Sequence, residues 1–163
     1  VGNYDLIFSN ACLHWIPDHE TLFQKLMSKL NDGGILAVQM PLIQNAVFYK
    51  TLNKLVSDGK WSKLSKINNF YNLTPDKTYD ILSVISQRVT MWETTYYHIV
   101  PSHSFIIEWY KGSGLRPYLE SLDQIEKQEF INDLLKLIET SYPVQADSSV
   151  ILKMPRLFFT AVR

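Results

Sequence analysis

One short loop concentrates groups that can do chemistry: Asn10-Ala11-Cys12-Leu13-His14-Trp15. It directly follows an apolar run, residues 4–9 (YDLIFS). In open α/β sheets, ligands bind beyond the carboxyl ends of the strands, near the switch in strand order. That rule makes Asn10, His14 and Trp15 ligand-facing. The same spacing also fits a loop in which Leu13 and Trp15 plug the end of the sheet and His14 is solvated. A second concentration runs from residue 96 to residue 118, with Tyr96, Tyr97, His98, His103, Trp109, Tyr110, Lys111, Arg116 and Tyr118. Arg116 precedes Pro117, and a guanidinium on a rigid turn can grip a carboxylate with two hydrogen bonds. Arg156 is a second candidate of this kind. Either arginine equally suits a surface ion pair, and the aromatics at helical spacing equally suit packing.

Other chemistries find no support in the spacing. His14/His19 and His98/His103 are each five positions apart, and no cysteine or carboxylate completes a familiar metal set. No G-x-S-x-G elbow is present, and Cys12 has no evident base partner, so it reads as an inert buried thiol. Gly33-Gly34 and Gly112-Ser113-Gly114 read as helix stops rather than phosphate loops.

The elements that must hold these residues follow from periodicity. Residues 4–9 and 34–40 (GILAVQM) are continuous apolar runs, which suit parallel strands buried on both faces. Between them Pro17 and Asp18 open a helix carried by Leu22, Phe23, Leu26, Met27 and Leu30 and closed by Gly33-Gly34. This is a right-handed βαβ unit with parallel strands. Residues 45–57 read as a helix. Thr74-Pro75 opens another, bearing Tyr79, Leu82 and Ile85. Residues 89–100 are rich in β-branched and aromatic types and read as a strand. Ser102 caps a helix with Phe105, Ile106, Trp109 and Tyr110 on its apolar side. Asp123 and Glu126 form a capping box for one bearing Ile125, Phe130, Leu134, Leu137 and Ile138, which stops near Pro143. Residues 156–163 close the chain as a strand. The expected architecture is an α/β sheet with a helical insertion before its last strand. It is read as one domain over 1–163: βαβ (1–41), helices (42–88), strand (89–100), helical cap (101–149) and final strand (150–163).

At 163 residues, 46% apolar and 20% charged, the chain can bury a core. A net charge of zero lacks the electrostatic footprint of a general nucleic-acid binder. No apolar run approaches the roughly 18 residues of a membrane span. A lone cysteine allows no internal disulfide and fits a cytoplasmic protein. Because the sequence opens almost at once into a strand, further strands are expected upstream.

Several motifs carry a family resemblance. Residues 5–11 (DLIFSNA) and 13–19 (LHWIPDH) resemble the fourth-strand motif of class I S-adenosylmethionine-dependent methyltransferases. Residues 33–41 (GGILAVQMP), 92–98 (WETTYYH), 101–103 (PSH), 107–119 (IEWYKGSGLRPYL) and 155–158 (PRLF) resemble the trans-aconitate methyltransferase branch. The resemblance implies the C-terminal part of a Rossmann-like sheet. Three upstream strands would hold the glycine-rich adenosylmethionine loop and the acidic ribose ligand. By the same resemblance Asn10, Ala11, His14 and Trp15 line the methionine side of that cofactor. The helical insertion would hold a small polycarboxylate, with Tyr97, His98, His103, Trp109, Arg116 and Arg156 as candidate contacts. Such a reaction needs no triad and no metal. The alternative expectation is a non-catalytic fragment that binds the cofactor poorly and self-associates, as a homodimer, through the exposed strand edge at residues 4–9.

Overall fold

The structure is a computed structural model that describes residues 3–57, 59–67 and 70–163. In chain order the elements are β1 (Tyr4–Asn10), α1 (His19–Ser28), β2 (Leu30–Pro41), α2 (Val47–Ser57), α3 (Pro75–Ser83), β3 (Arg88–Val100), α4 (His103–Lys111), α5 (Arg116–Glu120), α6 (Gln124–Ser141) and β4 (Val150–Val162). Short 3₁₀ turns occupy Leu13–Trp15, Ile43–Asn45 and Gly59–Leu64.

Helix starts form where local chemistry supplies a cap. Asp18 accepts from Thr21 N–H, and Thr74 from Lys77 N–H with Pro75 as the first helical residue. Ser102 accepts from Phe105 N–H, and Asp123 and Glu126 satisfy each other's backbone donors in a full capping box.

The sheet order is β1-β2-β4-β3. β1 and β2 run parallel, as the crossover through α1 requires, and β4 runs antiparallel to β2. The non-sequential order places the last strand between β2 and β3. The chain forms two compact units. One comprises residues 1–43, 70–95 and 155–163; the other comprises residues 44–69 and 96–154.

In the first unit, Leu36, Val38 and Met40 alternate along β2 and meet Ala161, Phe159 and Leu157 across the ladder. Together with Phe23 and Met27 of α1 they form one buried core. Phe23 meets Phe159 edge-on at 5.6 Å between ring centroids. In the second unit, α2, α4 and α6 bury Phe48, Leu52, Ile106, Ile107, Tyr110, Phe130, Leu134 and Ile138 around Trp61. Phe48 stacks on Tyr110, and the Trp61 indole N–H donates to Asp133 at 3.1 Å.

Several sequence expectations are corrected. Gly33-Gly34 do not close α1. That helix ends at Ser28, where the Lys29 N–H returns to Leu26 and Met27 carbonyls. Both glycines lie inside β2, where Gly33 takes φ 78° and the pairing jumps from Tyr4↔Leu30 to Leu6↔Ile35. They serve a bulge, which needs one left-handed residue and, at Gly34, close approach to the carbonyls of Asn31 and Tyr4. β1 is not buried on both faces. It is an edge strand whose Tyr4, Leu6 and Phe8 are 51%, 58% and 69% exposed. Cys12 is exposed, because it lies past the strand in the turn that leaves the sheet. Tyr79, Phe105, Trp109 and Ile125 are also exposed; α4 buries Ile107 instead of Phe105 and Trp109.

A polar corner at the carboxyl ends of β1 and β2

The loop after β1 leaves the sheet through a left-handed residue, Ala11 (φ 51°), whose N–H donates to the Gln39 carbonyl at 3.0 Å. A non-glycine residue in that region costs about 1–2 kcal/mol. Such strain concentrates at functional sites. Asn10 and Ala11 are exposed at the strand end, and Trp15 is 45% exposed. Leu13 and His14 turn inward.

His14 is 5% exposed and sits in an aromatic cradle. Its ring lies 5.6 Å from Phe70, nearly parallel, and 4.9 Å from Trp15. Its carbonyl accepts from Tyr71 N–H at 2.9 Å. Burial, then the positive charge of Arg156, then His19, push its pKa down from 6.5 to about 4. The imidazole is therefore neutral at pH 7. His19 is buried for a structural purpose: its Nε2 lies 2.9 Å from the Leu13 carbonyl, and its ring stacks on Phe23.

Among the described residues of this unit, four buried side-chain atoms lack a hydrogen-bond partner: Ser9 Oγ, His14 Nδ1, Gln39 Nε2 and Asn72 Oδ1. An unpaired buried polar atom costs about 1–3 kcal/mol. Native proteins keep few of them, so several in one unit point to a place built for polar company. The backbone ties three of these residues together. Asn10 opposes Gln39, Pro41 opposes Arg156, and Asn72 Nδ2 donates to the Pro41 carbonyl at 2.5 Å. Tyr71, beside Asn72, binds back to His14. Asn10, Ala11, His14, Trp15, Gln39, Asn72 and Arg156 thus share one corner, at the carboxyl ends of the two parallel strands. Gln39, Asn72 and Phe70 were missed from sequence. Gln39 did leave a signal, as the one polar residue within the apolar run GILAVQM.

The other candidates belong to the second unit. Tyr97 is exposed on β3, with the Lys153 ammonium 5.6 Å from its ring centroid. His98 lies 5.2 Å from Trp109, which is 44% exposed. His103 Nε2 is 2.8 Å from the Tyr142 carbonyl, a tie that anchors the start of α4. Arg116 is exposed, and its Nε donates to Glu120 at 2.7 Å, one helical turn on. The structure therefore brings Arg156 to the corner of the first unit and leaves Arg116 in an exposed i,i+4 pair.

Among the described residues no three His, Cys, Asp or Glu side chains gather as a metal site, and no helix is long and apolar enough to cross a membrane. Neutral His14, the exposed Trp15 face and the open end at Asn10-Ala11 fit the methionine end of adenosylmethionine. An aromatic face attracts a sulfonium cation, and an uncharged imidazole does not repel it.

No protein-family model matches the chain. Solved structures that share its fold include a putative methyltransferase from Bacillus halodurans C-125 and the YcgJ protein of Bacillus subtilis. The first gives a TM-score of 0.54 at 9% identity, covering 98% of this chain and 64% of the other. The second gives 0.52 at 9% identity, covering 99% and 64%. In sequence the chain is 41% identical over 160 residues to the trans-aconitate 2-methyltransferase of Escherichia coli O7:K1 (strain IAI39 / ExPEC), covering 98% of this chain. It spans 62% of the length of that relative. The two solved structures show the fold alone, and in sequence the chain is similar to the trans-aconitate 2-methyltransferases.

Proposed function

We propose that the protein to which this chain belongs is a carboxyl O-methyltransferase that converts a small polycarboxylate such as trans-aconitate to its monomethyl ester. The observation that carries this reading is the 41% identity to trans-aconitate 2-methyltransferase across 98% of the chain. Adenosylmethionine, when bound, supplies an electrophilic sulfonium methyl that a carboxylate oxygen takes directly, the sulfur keeping the electron pair of the broken bond. The residues of the corner have correspondingly modest tasks. A carboxylate is already ionised at neutral pH, so no side chain has to act as a strong base. Asn10, Ala11, His14 and Trp15 bind and orient the methionine end. Arg156 offers a forked, permanently charged donor to a carboxylate. Tyr97, His98, His103, Trp109 and Arg116 are proposed as acceptor contacts from the family motifs that carry them. Catalysis then rests on alignment and exclusion of water. The exposed free thiol of Cys12 fits a reducing, cytoplasmic setting.

The test is methyl transfer by the full-length protein from labelled adenosylmethionine to trans-aconitate, aconitate isomers and other small di- and tricarboxylates. Formation of a monomethyl ester is expected. Failure with every such acid removes the proposed activity.

A second reading is favoured by β1. Among the described residues no strand pairs with its outer edge, and Tyr4, Leu6 and Phe8 are exposed on one of its faces. Such an edge is a template for strand pairing. On this reading the chain by itself forms a homodimer through β1 and binds adenosylmethionine poorly. Light scattering that returns a monomer mass at high micromolar concentration overturns the dimer, and micromolar cofactor binding by calorimetry overturns the poor affinity.

A further inference from the structure

Gln39 is the most conspicuous residue that the proposed function leaves without a task. It is 7% exposed, near the carboxyl end of β2 and within the apolar run at residues 34–40, and its Nε2 has no hydrogen-bond partner. Its position relative to Arg156 is set by the ladder. Gln39 opposes Phe158 and Pro41 opposes Arg156. Directly opposed residues share a face, and residues two apart on one strand share it too. Gln39 and Arg156 are therefore diagonal neighbours on one face of adjacent strands. Side chains so placed start about 7–8 Å apart, a span that two long polar side chains close around a single carboxylate. Phe158, stacked on Trp92 at 5.3 Å, supplies an apolar wall beside them.

We infer that Gln39 is an acceptor-positioning residue, whose carboxamide N–H and the Arg156 guanidinium together seat one carboxylate of the polycarboxylate substrate. The inference rests on the polycarboxylate reading above. The donor set explains the preference: an amide N–H and a guanidinium offer hydrogens only, which suits an ionised carboxylate and rejects an ammonium or a second cation. The seat also accounts for the unpaired Nε2, which the bound carboxylate satisfies. Its effect is specificity. A monocarboxylate methylated at its only acid group has nothing left to occupy the seat, so acids with a second carboxylate are favoured.

The experiment uses the full-length protein and three variants. Gln39→Leu removes the donor at similar volume, Gln39→Glu replaces it with a like charge, and Gln39→Asn keeps the amide on a shorter stem. Loss of a hydrogen bond to a charged group is expected to raise KM for trans-aconitate about ten- to a hundred-fold in Gln39→Leu. Gln39→Glu is expected to raise it further and Gln39→Asn least, with KM for adenosylmethionine within about two-fold throughout on the same scale. A purely structural role would move both KM values and the thermal midpoint together. That result, or an unchanged acceptor KM, overturns the inference. Calorimetric binding of trans-aconitate to the parent protein and to Gln39→Glu reads the seat without turnover. If the acid binds and the variant loses it while no methyl is transferred, the seat stands and the activity reading falls. If the acid does not bind, or binds both equally, the seat is refuted. Should Gln39→Leu not fold, the ordering of Glu against Asn decides.

Discussion

Acidification provides a sharp test of the polar corner. His14 titrates near 6.5 in an unfolded chain and at about 4 when folded, because burial and the Arg156 charge both disfavour its cation. Between those values the unfolded chain carries a proton that the folded one refuses, so stability falls with falling pH. The contribution is fully present above about pH 6.5 and lost progressively toward pH 4. Moving from pH 7 to pH 5 costs about 2 kcal/mol from this residue alone, at 1.36 kcal/mol per unit and a folded pKa well below 5. Other groups titrate over the same interval, so the measurement is a difference. Urea unfolding is followed at both pH values for the parent chain and for His14→Phe, which keeps an aromatic ring against Phe70 and Trp15. The pH-dependent loss is expected to be about 2 kcal/mol smaller in the variant. The His14 imidazole resonances in the parent chain are expected to titrate near pH 4. A His14 midpoint close to 6.5, or an identical pH-dependent loss in the two proteins, refutes the argument that this ring is held neutral by its surroundings.

Three further outcomes follow from packing, capping and edge chemistry. Phe23→Ala removes a fully buried ring that meets Phe159 edge-on, and is expected to cost about 3–5 kcal/mol in denaturant unfolding. Asp123→Ala deletes one half of the α6 capping box and should lower stability by about 1 kcal/mol without changing the helical circular-dichroism signal at low temperature. Phe8→Lys places a charge on the exposed edge strand. It is expected to shift any self-associated population toward monomer in light scattering, and an unchanged mass distribution would clear β1 of a role in association.

Local signals were readable wherever a few adjacent residues settle the outcome. Asp18, Thr74-Pro75, Ser102 and the Asp123/Glu126 pair all cap helices as their spacing demands, because a cap is a contact across three residues. The apolar runs around residues 4–9 and 34–40 do form parallel strands, since the crossover helix between them leaves that pairing. Gly33-Gly34 misled because a paired glycine marks a helix end and a strand bulge alike. The pairing between Tyr4 and Leu30 decides between them, and it lies outside any local window. The burial expected for Leu6 and Phe8 failed for a related reason: an apolar run looks the same whether or not another layer covers it. Cys12 and Ile125 show the same limit.

The amino-acid order alone marked the capped helix starts and the parallel strand pair, offered the loop at Asn10–Trp15 as a candidate ligand-facing corner, and carried the motifs on which the family resemblance rests. It put Arg116 first and Arg156 second as carboxylate grips, with a surface ion pair open to either. Only the tertiary structure separated them, pairing Arg116 with Glu120 in an exposed helical turn and setting Arg156 opposite Pro41, diagonal to Gln39. Helix and cap chemistry acts over neighbours three or four residues apart. Which polar atoms end up buried together depends on the β2–β4 register, which joins residues separated by more than a hundred positions in the chain.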